Sequence, residues 1–478
     1  MTRDRSRSPT TFRISTLGCR ANVHDGELLR AALRARGLRE VGRREAAELV
    51  IVNSCAVTDA ADRESRRLAG RAARGGAARV VVTGCAAEVD PDGVAGVEGV
   101  RWVVGNQDKP TLVERVLTAV DDERAAGTLG GVTPYEDRRA RHPEGRAWPT
   151  GDAAFPPLDA AGQHTRAFLK IQEGCDAFCT FCVIPYARGP ARSLSADAVV
   201  ERVRTLVASG AHEIVLTGTA LGEWGADLPG GPRFDDLVAR ILAETAVSGL
   251  RLGSLEPPEL TPRLLGLMRD EPRLRPHVHL SLQSPDGDVL KRMKRRYREG
   301  EADRAMAALA ELDGHLARTR GLHGGAFVGV DLITGFPGET DAVFARTVER
   351  LAALPWTRLH VFPYSERAGT AATRLDGVVP MAERKRRVGE LMALSNARVV
   401  GRAQQLVDAG APVEVLVERR APGGGRGMVG GYTPNYFGVA FPCAAPTRLR
   451  NQVVRVAPER VELHARSANA VVYGRLVD

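Results

Sequence analysis

The stretch Lys170-Ile171-Gln172-Glu173-Gly174-Cys175-Asp176-Ala177-Phe178-Cys179-Thr180-Phe181-Cys182-Val183-Ile184-Pro185-Tyr186-Ala187-Arg188-Gly189 carries three of the chain's seven cysteines within eight residues. It follows a short apolar run that reads as a strand. A loop spaced Cys-x3-Cys-x2-Cys can wrap three thiolates around one metal centre. A structural zinc site takes four closed ligands, whereas a 4Fe-4S cluster held by three cysteines keeps one iron open to a small molecule. The spacing points to chemistry rather than to a structural staple.

Working outward, residues 166 to about 365 alternate strands with helical segments. Candidate strands are Phe168–Gln172, Glu213–Thr217, Leu250–Ser254, His277–Leu282, Phe327–Ile333 and Arg358–Phe362. Candidate helices include Ala196–Ala208, Glu301–Ala317 and Asp341–Ala353. Six such units predict an incomplete (β/α)6 barrel, whose active site belongs at the carboxyl ends of its strands. The three-cysteine loop follows the first strand, at that end. Gly218, Glu256, Gln283, Ser284 and the turn Gly335–Thr340 end later strands there. Glycines let backbone approach a ligand closely, while Glu256, Gln283 and Ser284 offer groups for an amine or a ribose hydroxyl.

Upstream, residues 11–118 predict an α/β unit with a parallel sheet. Its strands are Phe12–Leu17, Leu49–Val52, Ala78–Thr83 and Val100–Val104, with helices over Glu27–Arg36 and Ala60–Arg74. Cys19, Cys55 and Cys85 each follow one of the first three strands. In a parallel sheet those ends share one edge, where ligands bind, so three cysteines distant in sequence can converge. Any one of them alone reads as a small buried hydrophobe.

Residues 119–165 are rich in Asp, Arg, Gly and Pro and read as a linker or insert, with Trp148 and Phe155 available to pin it. Lys291-Arg292-Met293-Lys294-Arg295-Arg296-Tyr297-Arg298 packs six basic residues into eight without an acid, and Tyr297 reads as a stacking surface. Such a run suits phosphate contact. A helix over Met381–Gln405 closes the central domain. Residues 406–478 turn β-rich, with strands at Val413–Glu418, Gly438–Phe441, Gln452–Val456, Arg460–His464 and Ala470–Leu476. That pattern predicts a small OB-like barrel, a common RNA platform, on which Tyr432, Asn435, Tyr436 and Phe437 read as stacking groups. Cys443 reads as a bland thiol.

A length of 478 residues fits about three domains at roughly 150 residues each. No window approaches the run of about 20 apolar residues that a membrane span requires. Met1–Thr10 is polar and Arg-rich, unlike a secretory signal, and reads as a disordered tail. A cytoplasmic location is expected, where cysteines serve metals or catalysis rather than disulfides. The net charge of +9 suits a polyanion. Only five of the 67 basic residues are Lys, so Arg-rich base composition accounts for the charge equally well.

The Cys175 loop resembles the signature of radical S-adenosylmethionine (SAM) enzymes, with aromatic Phe181 before the last cysteine. With Cys19, Cys55 and Cys85 ahead of it and a TRAM-like barrel behind, the chain resembles the methylthiotransferases. Thr16–Asn22, Ser54–Thr58, Ser281–Ser284, Lys291–Tyr297 and His360–Ser365 look most like the branch acting on N6-threonylcarbamoyladenosine in tRNA. Ala86-Ala87-Glu88 and Pro285 depart from the family's usual residues. The resemblance implies that Cys175, Cys179 and Cys182 hold a 4Fe-4S cluster that binds SAM, cleaved by one electron to methionine and a 5′-deoxyadenosyl radical. It implies a second 4Fe-4S cluster on Cys19, Cys55 and Cys85, associated with sulfur insertion. Phe181, Gly218, Glu256, Gln283 and Ser284 become candidate SAM contacts. Lys291, Arg292, Lys294, Arg295, Arg296, Tyr297, Tyr432 and Tyr436 become candidate RNA contacts. tRNA, an electron donor and a sulfur source are the implied partners. The same chemistry on isopentenyladenosine or on a ribosomal-protein aspartate, and a noncatalytic zinc RNA-binding protein, stay open on the residues alone.

Overall fold

The computed structural model describes residues 9–42, 45–77, 79–121, 127–128, 148–157, 165–418, 421–423, 425, 427–443, 448–464 and 469–477. Most of the expected N-terminal tail and of the 119–165 segment lies outside these. The first domain is built on β1 (Thr11–Thr16), β2 (Arg39–Glu40), β3 (Leu49–Ser54), β4 (Arg79–Gly84), β5 (Trp102–Val104) and β6 (Gly127–Thr128). All are parallel, in the order β2-β1-β3-β4-β5-β6. Every residue of β3 and β4 is buried, as continuous apolar strands covered by helices on both faces should be. β6 falls inside the expected linker; two residues carry no periodicity that sequence reading could detect.

The central domain contains β7 (Arg166–Lys170), then β8 (Gln172–Glu173) and β9 (Arg192–Ser193), an antiparallel pair clamping the two ends of the three-cysteine loop. Its other strands are β10 (Glu213–Thr217), β11 (Leu250–Leu252), β12 (Ser254–Leu255), β13 (His277–Gln283), β14 (Phe327–Thr334) and β15 (Arg358–Pro363). They run parallel as β11-β10-β7 and β12-β13-β14-β15, the third barrel strand breaking at Gly253. Helices Ala196–Ala208 and Asp341–Ala353 have the expected bounds, each N-capped by a hydroxyl, Ser195 and Thr340. Such a cap is worth ~1 kcal/mol.

Among the described residues β7 and β15 each pair on one side only, leaving the barrel open between them. The N-terminal domain stands across that gap. His24, on the helix Arg20–Ala35, meets the Phe168 carbonyl of β7 through Nδ1 at 2.8 Å. Past β15, Ser365 Oγ accepts from the Asp59 N–H at 3.1 Å, and Arg367 meets Asp62 at 3.3 Å. Burial, then the charge of Lys170, lowers the His24 pKa to about 4. The unfolded imidazole binds its proton near pH 6.5 while the buried ring resists protonation, so the stability of the folded state is fully present above that pH and is lost as pH falls towards 4. The expected cost is ~3 kcal/mol, seen as acid-dependent loss of thermal stability. A His24→Asn variant should flatten that profile between pH 6.5 and 4.

β16 (Val413–Val417), β17 (Met428–Tyr432), β18 (Gly438–Pro442), β19 (Val453–His464) and β20 (Asn469–Val477) form a closed barrel, β16-β17-β18-β20-β19. Two segments read as separate strands are one strand, because a register shift between Pro458 and Arg460 absorbs the proline. β17 was not expected, since Gly430 and Gly431 erase its alternation. The 28-residue helix Met381–Asp408 joins this barrel to the central one; its Val399, Ala403 and Leu406 share a core with Phe327 at the start of β14. Cys443 packs on that core. No helix among the described residues is long and apolar enough to cross a membrane.

Candidate functional site

β1, β3 and β4 are neighbours, and Thr16, Asn53 and Thr83 are in register at their carboxyl ends. Cys19, Cys55 and Cys85 follow these ends and so share one edge. Cys19 caps the helix Arg20–Ala35 and is exposed, Cys55 is buried, and Cys85 opens the helix Cys85–Val89. The backbone is shaped for the thiols. Gly18 has φ +89°, and a Cβ there would lie 2.6 Å from Cys55 Sγ. Gly84 has φ +98°, and a Cβ would lie 2.6 Å from the Ser54 nitrogen. Neither position accepts a side chain.

In the second trio, the Ala177 N–H donates to Cys175 Sγ and the Ile184 N–H to Cys182 Sγ, both at 3.4 Å. Arg295 Nη1 donates to Cys179 Sγ at 3.2 Å. Burial pushes the Cys175 thiol up to about 11 and the Cys55 thiol up to about 12, and drives Cys182 up further. Thiols buried in this way ionise only against a cation, the state a metal centre imposes. Among the described residues no three His, Cys, Asp or Glu side chains converge as ligands of a single ion do. A cuboidal cluster takes its three thiolates from separate corners, and N–H donors aimed at sulfur suit that donor set.

A buried charge network joins the first domain to the central one. Lys170 Nζ meets Asp25 at 2.6 Å and Glu173 at 2.5 Å, Lys109 meets Asp25 at 2.9 Å, and Arg188 meets Glu173 at 2.7 Å. Arg188 also donates to Asn22 Oδ1 at 2.6 Å, and Asn106 Nδ2 donates to Cys85 Sγ at 3.5 Å and to the Ala187 carbonyl at 2.9 Å. Burial would push the Glu173 carboxyl up, but Arg188 and Lys170 hold it well below the usual carboxylate range. Lys109 and Lys170 do the same for Asp25. The sequence reading missed this set. Its only sequence signal was charge, Lys170, Glu173 and Arg188, bracketing the cysteine loop.

The insert contributes as well. Trp148 lies under the Arg192 guanidinium at 5.1 Å, Phe155 is buried in the central core, and Asp152 accepts from the Ser195 N–H at 2.9 Å. Trp148, Pro149, Pro156 and Pro157 face the helix Arg20–Ala35 across a cavity of about 320 Å³ floored by the charge network.

Of the candidates for SAM, Phe181 packs edge-on against Phe336, and Gly218 lies over the Gln172 side chain. Glu256 pairs with Arg295 at 2.7 Å. Gln283 sits at the β13 bulge with φ +61°. Ser284 is buried and its Oγ accepts from the Asp286 N–H at 3.1 Å, so it serves a turn.

The basic run is not one surface. Lys291, Lys294 and Arg296 are exposed, Arg296 against Glu223, while Arg292 donates to the Pro337 carbonyl at 2.8 Å. Arg295 is buried against Cys179 and Glu256. Tyr297 is fully buried, donating to the Leu282 carbonyl at 2.7 Å, and offers no stacking surface. That corrects its reading as an RNA contact: a charge run hides an inward face. Tyr432 and Tyr436 stack on each other at 4.7 Å beneath Arg166, at the base of the central barrel, so their rings serve the domain interface instead of an outer surface.

Residues 11–105 match the model of an uncharacterized protein family, UPF0004, and residues 169–351 that of the Radical SAM superfamily. The threonylcarbamoyladenosine tRNA methylthiotransferase MtaB of Bacillus subtilis is 34% identical over 90% of each chain. That of Aquifex aeolicus is 33% identical over 80% of this chain and 87% of its own. The tRNA-2-methylthio-N(6)-dimethylallyladenosine synthase of Novosphingobium aromaticivorans is 35% identical over 87% of this chain and 88% of its own. The radical SAM methyltransferase TsrM of Kitasatospora setae shares the fold, with a TM-score of 0.51 over 97% of this chain and 83% of its own at 16% identity. By these relatives and by its two cysteine trios, the chain belongs to the radical SAM methylthiotransferases.

Proposed function

We propose that this protein inserts a methylthio group at carbon 2 of N6-threonylcarbamoyladenosine, beside the anticodon of tRNA. The observation that carries the reading is that the segment following the Cys175–Cys182 loop is bonded to the sheet edge that bears the other trio: Arg188 donates to Asn22 Oδ1, and Asn106 donates both to Cys85 Sγ and to the Ala187 carbonyl. SAM and 4Fe-4S clusters are the cofactors of this chemistry. Cys175, Cys179 and Cys182 hold one cluster at the barrel mouth, and Cys19, Cys55 and Cys85 the other. When bound, these groups supply reductive cleavage of SAM and the sulfur to be inserted. The chain's own residues position and shield them. Arg295 sets a positive charge against Cys179, and Gly18 and Gly84 let the backbone close around Cys55 and Ser54.

The target base must leave its stack to reach this interface, and an anticodon-loop adenosine does so without melting a helix. Exposed Lys291 and Lys294, with the C-terminal TRAM-like barrel, are the proposed RNA contacts; a cytoplasmic location, an electron donor and a sulfur source complete the reading. The dimethylallyladenosine relative at 35% identity makes that nucleoside the second reading. Mass spectrometry of tRNA nucleosides from cells lacking the gene decides between them. Loss of the methylthio form of threonylcarbamoyladenosine is expected; loss of the dimethylallyl form alone would overturn the assignment.

A further inference from the structure

The lumen of the central barrel holds a guanidinium nitrogen that has no hydrogen-bond partner among the described residues. Arg20 follows Cys19 and opens the helix that stands in the gap between β7 and β15. Its guanidinium reaches the charge field of Arg251, Arg166, Asp331 and the Tyr436 phenol. Its Nη1 is closed off from solvent and has no hydrogen-bond partner among the described residues. The neighbouring charges are already answered. Arg251 meets Glu213 through Nε and Nη2, each at 2.9 Å, and Arg166 meets Glu418 at 2.5 Å. Asp331 meets His279 Nε2 at 2.7 Å, and His279 Nδ1 in turn meets Ser254 Oγ at 3.1 Å. His277 Nδ1 and Arg251 Nη1 are also buried without a hydrogen-bond partner among the described residues. Two guanidinium nitrogens, Arg20 Nη1 and Arg251 Nη1, thus lack an acceptor among the described residues, and a buried donor left unpaired is destabilising.

Carbon 2 and N6 lie on the same edge of adenine, on either side of N1. A base that presents carbon 2 to the Cys19 wall therefore projects its N6 side chain alongside, where the next residue is Arg20. We propose that Arg20 receives the carboxylate of the substrate's N6 side chain. This rests on threonylcarbamoyladenosine being the substrate. The pairing supplies the missing acceptor, and a dimethylallyl chain in the same place would leave the cation unanswered while burying apolar surface against polar walls.

The test compares two anticodon stem-loops in the reconstituted holoenzyme, one carrying threonylcarbamoyladenosine and one in which the threonyl carboxylate is a carboxamide. The native protein should prefer the carboxylate by about 10- to 100-fold in kcat/KM, the worth of a charge-assisted hydrogen bond. In Arg20→Gln the preference should fall to near unity, and Arg20→Lys should restore part of it. Because each ratio is taken within one preparation, cluster content cancels. Should Arg20→Gln form too little product, the same ratio is read from Kd by anisotropy. An unchanged preference in Arg20→Gln, by either readout, overturns the proposal. If the native enzyme instead ignores both stem-loops and modifies one carrying dimethylallyladenosine, it is the substrate reading that has failed.

Discussion

Replacing Cys19 by Ala is expected to reduce methylthiolated product by at least about 1,000-fold while 5′-deoxyadenosine still forms from SAM. The two thiol sets sit on different domains. Cys19, Cys55 and Cys85 end strands of the first sheet, whereas Cys175, Cys179 and Cys182 lie on a loop clamped at its base by β8 and β9. The sulfur donors differ too: Asn106 reaches Cys85, while Arg295 and the Ala177 and Ile184 amides reach the other set. One set can therefore be broken with the other's surroundings intact. Mass spectrometry of the tRNA and chromatography of the nucleoside product check the two outcomes separately. Methylthiolated product from Cys19→Ala would show that its thiol is not required; loss of 5′-deoxyadenosine would show that the sets do not divide the work.

Arg188→Met should cost about 3–5 kcal/mol of stability, because it takes from a buried carboxylate one of its two cations. Arg188 is 2% exposed, and its partner Glu173 is 7% exposed. Lys170 would then be the remaining ion-pair partner of Glu173 among the described residues, while it shares Asp25 with Lys109. Urea denaturation followed by near-UV circular dichroism should show the first transition moving to lower denaturant. The paired variant Arg188→Met with Glu173→Leu should recover much of the loss, since it removes the stranded charge as well. A single variant as stable as the native chain would mean that Lys170 alone suffices to hold Glu173 ionised.

The barrel strands were legible because buried parallel strands are runs of apolar, often β-branched residues; Glu213–Thr217 has the expected bounds. That Cys19, Cys55 and Cys85 follow strands ending on one sheet edge was legible for a topological reason, since parallel strands bring their carboxyl ends together. Arg20 and Tyr297 were not. Their roles depend on partners far along the chain: the barrel wall for Arg20, and the Ser281 and Leu282 carbonyls for Tyr297. The inward turn of Tyr297 in a run of cations needs tertiary contacts that no local pattern encodes. The same holds for Lys109 and Asp25, brought together from 84 residues apart.

A sheet that stops short of closing leaves two rims of backbone amides and carbonyls, and such rims recruit strands from other molecules. Here the β7 rim is met by an imidazole, His24 against the Phe168 carbonyl, and not by another strand. Guarding that rim is thus delegated to a separate domain. A fragment beginning at residue 165 would keep every barrel strand yet bare this rim, and its expected fault is self-association rather than unfolding.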